Sequence, residues 1–130
     1  MKTFTLKIGE AQKNVYPLSL LDDKGKELAE KEGKLSSVDL RNLAEIDSII
    51  GVLEKQIPTK TLLLNRAREM YNSFIGEELA KILLQDGGRT HLSIEISEKA
   101  FELARLPWDL MHDGESYLIE KGFSLSRGIR

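Results

Sequence analysis

Apolar and polar positions alternate from the first residues of the chain. Phe4, Leu6 and Ile8 are separated by Thr5 and Lys7, which predicts a strand with one buried face. Tyr16, Leu18 and Leu20 repeat the pattern after a short polar gap, so the two segments read as an antiparallel hairpin. Pro17 lacks an N–H, which puts the second strand at an edge or a bulge. Asp22-Asp23-Lys24-Gly25 marks a turn. The charged segment Lys26–Lys34 fits either a further strand or a short helical piece.

The period then changes. Leu40, Leu43, Ile46, Ile50 and Leu53 recur at helical spacing, behind Ser36 or Ser37 as the N-terminal cap. Pro58 is expected to stop this helix and Thr59 to cap the next. Leu63, Ala67, Met70, Phe74, Leu79, Ile82 and Leu83 form a second stripe, predicting one long helix to about Gln85. Asp86-Gly87-Gly88 reads as its left-handed exit.

Alternation returns at Leu92, Ile94 and Ile96, and Ser97 is placed to cap a short helix over Glu98–Leu103. Asp113-Gly114 signals a tight turn. Tyr117–Ile119 and Phe123–Ser126 read as a hairpin around Lys121-Gly122. The chain given ends at Arg130 directly after this strand, which reads as a cut before a further element. The elements together predict a single α+β domain over residues 1–130: two long antiparallel helices packed on a mostly antiparallel sheet.

Composition narrows the functional classes. With 130 residues, 41% of them hydrophobic and 31% charged, the chain can bury a core without disulfide staples. A net charge of −2 gives no general attraction to nucleic acid. No apolar run approaches the length of a spanning helix, and the early alternation differs from a signal peptide, so a cytoplasmic protein away from membranes is expected. The sequence has no Cys and only two His, which excludes thiolate chemistry within these residues and supplies metal sites poorly; no metal and no cofactor is expected.

The stretch Leu106–Gly114 collects the residues that most resemble catalytic material: the only Trp, His112, and the acids Asp109 and Asp113, with Glu115 just beyond. One His with neighbouring carboxylates in a turn converges poorly on a metal, and no motif supplies a nucleophile. The same residues serve as turn chemistry, with Asp113 accepting from backbone N–H groups and Trp108 anchoring the core through a bonded indole N–H. Pro107 ends the preceding helix and fixes where Trp108 enters. Gly87-Gly88 before Arg89 follows a helix, whereas phosphate loops precede one. Leu62, Leu63 and Leu64 are broader than one apolar stripe requires and hint at a partner surface.

Leu106, Pro107, Trp108, Asp109, Asp113 and Gly114, followed by Tyr117-Leu118 and Phe123–Arg127, resemble the N-terminal part of CHAT domains, a caspase-like peptidase family often joined to tetratricopeptide repeats. The resemblance is best over residues 60–130; over 1–59 only the order of elements fits. It implies the non-catalytic front portion of a cysteine endopeptidase whose His–Cys dyad lies later in the domain. No catalytic residue carries over, because the chain lacks Cys and His112 is not at the family's catalytic position. The implied role is structural or regulatory, with the remainder of the same polypeptide or another protein as partner, and a homodimer through the last strand. Two alternatives stand beside it: a free-standing protein–protein interaction module, and a small hydrolase using His112 with the nearby acids.

Overall fold

The computed structural model describes residues 2–35, 57–85, 88–106 and 108–129, with the backbone alone at 57–63. Five strands form one sheet: β1 (Lys2–Ile8), β2 (Val15–Leu21), β3 (Glu27–Lys34), β4 (Thr90–Ile96) and β5 (Phe123–Ile129). Their spatial order is β3-β2-β1-β4-β5. The helices are α1 (Ile57–Phe74) and α2 (Gly76–Leu83), with 3-10 segments η1 (Glu98–Arg105), η2 (Trp108–Leu110) and η3 (Leu118–Lys121). The α+β class holds.

The sheet is mixed, which corrects the expectation of a mostly antiparallel one. β1 pairs β2 and β2 pairs β3 antiparallel, as tight hairpin connections require. β1 pairs β4, and β4 pairs β5, in parallel. Both parallel pairs are reached by crossovers, one through α1 and α2 and the other through the three 3-10 segments. The C-terminal hairpin is therefore absent. Leu118–Lys121 is a 3-10 turn, and Gly122, at φ 90°, ends it and admits β5 alongside β4.

The pair of long antiparallel helices is also corrected. The single helix expected to run to Gln85 is broken into 18 and 8 residues. Gly76, the first residue of α2, sits at φ 63° at the junction, in the left-handed region that interrupts the helical ladder. Pro58 lies in the first turn of α1, where its missing N–H costs no bond, and Thr59, expected to cap this helix, lies inside it. The helix expected over Ser36–Leu53 lies outside the described residues, as does Gly87.

The alternating strands put Phe4, Leu6, Ile8, Tyr16, Leu18, Leu20, Leu92, Ile94 and Ile96 into one buried layer. Ala67, Met70, Tyr71 and Phe74 of α1 close over it at spacing i, i+3, i+4, i+7, and Leu79 and Leu83 of α2 extend the cover. Gly33 of β3 lets the helix layer approach, since a Cβ there would stand 2.7 Å from the Ser73 carbonyl oxygen. Lys31 donates to the Asn72 and Ile75 carbonyls at 3.3 and 3.4 Å, satisfying orphan acceptors around the α1–α2 break. Burial pushes its ammonium below the usual lysine range, and Glu78 partly offsets this.

Candidate functional site

The Leu106–Gly114 stretch forms a corner between η1 and η3. Leu106 and Trp108 are each 1% exposed, and Met111 is fully buried. The Trp108 ring lies 4.8 Å from that of Phe74, tilted by 59°, and its indole N–H donates to the Leu103 carbonyl at 2.9 Å. This contact joins the corner to α1. Pro107 lies outside the described residues.

The polar residues of the corner spend their atoms on the turn. Asp113 Oδ1 accepts from the N–H groups of Glu115 and Ser116 at 2.8 and 3.0 Å, and Oδ2 pairs with the Lys121 ammonium. Burial alone would raise the Asp113 carboxyl, but Lys121 and the two N–H donors outweigh it and bring it down from 3.8 to about 2. His112 is buried, and its Nδ1 accepts from the Gly114 N–H at 2.9 Å, which puts the proton of the neutral ring on Nε2. The ring meets Tyr117 edge-on at 4.8 Å. Gly114 has φ 107° and passes beside the Arg68 guanidinium. Asp109 is exposed in η2. Among the described residues no three His, Cys, Asp or Glu side chains are grouped to hold a metal ion.

A second polar group was not anticipated from the sequence. On the sheet face opposite the core, His91 bridges two hydroxyls: Nδ1 to Ser124 Oγ at 2.7 Å and Nε2 to Ser126 Oγ at 3.1 Å. A neutral imidazole has one donor and one acceptor, so one serine donates and the other accepts. A hydroxyl beside an imidazole is half of an acyl-transfer site, which also needs oxyanion donors and a substrate hollow. The hollow beside the β1–β2 connection is lined by Glu10, Gln12, Lys13 and Glu32, and a neighbouring one by Lys7, Ser19, Glu95 and Ser97. Neither brings a substrate-sized space to His91. The group ties β4 to β5. Its sequence signal was faint: polar residues at the outward positions of strands 33 residues apart.

Two further features bear on function. Tyr16, buried on β2, donates to Glu102 Oε1 at 2.7 Å; burial first, then that carboxylate, hold its phenol well above the usual range. β5 has one strand neighbour among the described residues, and Ile129 at its end is 51% exposed. Leu64 is half-buried, whereas the side chains of Leu62 and Leu63 lie outside those described. No described helix is long and apolar enough to cross a membrane. Comparison with protein-family models, curated proteins and solved structures finds no match.

Proposed function

We propose that this chain is the N-terminal, non-catalytic portion of a CHAT-type caspase-like cysteine peptidase, acting in the cytoplasm as a support for the peptidase core. The observation that carries the reading is the arrangement of the residues behind the resemblance. Leu106, Trp108 and Leu118 are buried, Asp113 closes the turn, and the motif delivers β5 into a parallel pair with β4 whose outer edge has no strand neighbour among the described residues. A parallel run open on that side supports continuation into a larger sheet, where the dyad of such a peptidase would reside. The residues described here hold the corner; with no Cys in the chain, thiolate attack belongs to another segment or another molecule.

The coding sequence beyond Arg130 tests this directly. A frame that continues into strand–helix units carrying a His and then a Cys supports the reading, and a stop codon at that point overturns it. The free-standing interaction module is the second reading, favoured by the same open edge. The hydrolase built on His112 draws no support from the geometry, because Nδ1 already accepts from Gly114 and Asp113 is tied to Lys121.

A further inference from the structure

Lys31 of β3 pairs across the strands with the buried Leu18, so its side chain lies on the core face and reaches the α1–α2 junction. Gly76 makes its seat: a Cβ there would stand 2.8 Å from Nζ. The Ile75 N–H on the Tyr71 carbonyl closes α1, and Gly76 then leaves the next carbonyl, that of Asn72, without a ladder donor. Nζ donates to the Asn72 carbonyl at 3.3 Å and to that of Ile75 at 3.4 Å.

These contacts suit a neutral amine better than an ammonium. Charge-assisted N–H···O bonds run to about 2.7–2.9 Å, so bonds this long return little of the hydration lost on burial. Among the described residues Glu78 of α2 is the charged group that faces Nζ; Leu18 on β2 and Asn72 on α1 carry no charge. Burial outweighs Glu78 and holds the ammonium below the usual lysine range. A neutral amine has two N–H groups and one lone pair. With both N–H groups on carbonyls, the lone pair takes the remaining tetrahedral position, turned away from them. The bond to Asn72 is itself exposed, so a small reagent can reach the nitrogen.

We infer that Lys31 is an acyl-acceptor site, modified by small activated acyl groups, and that its acylation loosens the α1–α2 junction. The lone pair adds to the carbonyl carbon of an acyl phosphate or an acyl thioester, as desolvated lysines do in covalent catalysis. The N–C bond forms, the C–O bond to phosphate or the C–S bond to the thiol breaks, and the nitrogen releases one proton to solvent. The amide product keeps one N–H for two carbonyls and removes a positive charge from the C-terminal end of α1. Phe74, packed on Tyr16 and Trp108, and the buried Ile75 sit at this junction, so the loosening reaches the core. Neither step depends on the family reading, which fails separately at the coding sequence.

The experiment incubates the 130-residue chain at neutral pH with limiting acetyl phosphate in one arm and acetyl-coenzyme A in the other. Peptide mass spectrometry reads the acetylation of each lysine with time. Lys31 should be acetylated several-fold faster than the exposed Lys26 and Lys34, and the arm with the larger lead names the donor. In denaturing urea, where the seat is gone, the lead should vanish. Lys31 no faster than Lys34 in both arms overturns the site, and so does a lead that persists in urea. Hydrogen exchange at the amides of residues 75–79 should be faster in the Lys31-acetylated chain and in Lys31→Gln than in the unmodified chain and in Lys31→Arg, which keeps charge and donors. Unchanged exchange after acetylation of Lys31 overturns the loosening.

Discussion

Replacing Trp108 by Ala removes the group that joins the corner to the helix layer, and its cost can be worked from the contacts. A buried Trp hides about 150–250 Å². At about 25 cal/mol per Å² this is roughly 4–6 kcal/mol, an upper bound because unfolded chains already bury some surface. Losing the indole N–H also leaves the Leu103 carbonyl without that donor, for about 1 kcal/mol or more. Partial collapse of Phe74 and Met111 into the space returns some of the loss, so we expect about 3–5 kcal/mol. Trp108→Phe keeps a ring against Phe74 and drops the hydrogen bond, for an expected cost of about 1–2 kcal/mol. Urea unfolding followed by far-UV circular dichroism reports both, since the signal does not depend on the missing fluorophore. If Trp108→Ala costs less than about 1 kcal/mol, as surface positions do, the corner is not an anchor and the reasoning fails.

Asp113 gives a pH signature. Its folded pKa of about 2 lies below the ordinary 3.8, so its stabilisation is fully present above 3.8 and is lost as pH falls through about 2. The shift caps this at about 2.5 kcal/mol, and screening of the 29%-exposed Lys121 brings it to the order of 1–2 kcal/mol; Asp113→Asn should flatten that part of a stability–pH curve measured by urea unfolding. Gly33→Ala forces a Cβ to within 2.7 Å of the Ser73 carbonyl and 3.2 Å of Leu18 Cδ1, for an expected loss of about 1–3 kcal/mol by thermal unfolding. An unchanged midpoint would show that β3 and α1 can separate without cost.

What the sequence disclosed follows from the range of each signal. Alternation at Phe4–Ile8, Tyr16–Leu20 and Leu92–Ile96 is local, and all three segments are strands. Strand direction is set by crossovers that local pattern does not encode, so the parallel pairs went unseen. The break at Gly76 left a trace: the stripe steps five residues from Phe74 to Leu79, where a continuous helix steps three or four. Tyr117–Ile119 imitated a strand because three consecutive large side chains suit either structure. Glu120 decided it by accepting from the Tyr117 N–H at 3.0 Å, a bond that closes a turn. β3 was ambiguous because an edge strand can carry charge at most positions; only Gly33 and, just after it, Leu35 are buried there. At the corner, Asp113, Gly114 and Trp108 advertise turn and anchor by residue type. The His91–Ser124–Ser126 group depends on long-range register and advertises nothing.

The place of β1 in the sheet has a consequence for biogenesis. It lies between β2, its immediate successor, and β4, whose Thr90 pairs with Lys2. The β1–β2–β3 hairpins close short loops and can assemble as soon as they leave the ribosome. The other side of β1 must wait until residue 96 is synthesised, roughly 3–12 seconds after the end of β3 at about 5–20 residues per second. During that interval the nascent chain displays a bare strand edge beside the apolar row Phe4, Leu6 and Ile8. Such pairing at long sequence separation is also intrinsically slow. The strand that organises the finished sheet is thus also the one whose pairing is completed late, and a holding chaperone that covered its open side would guard that interval.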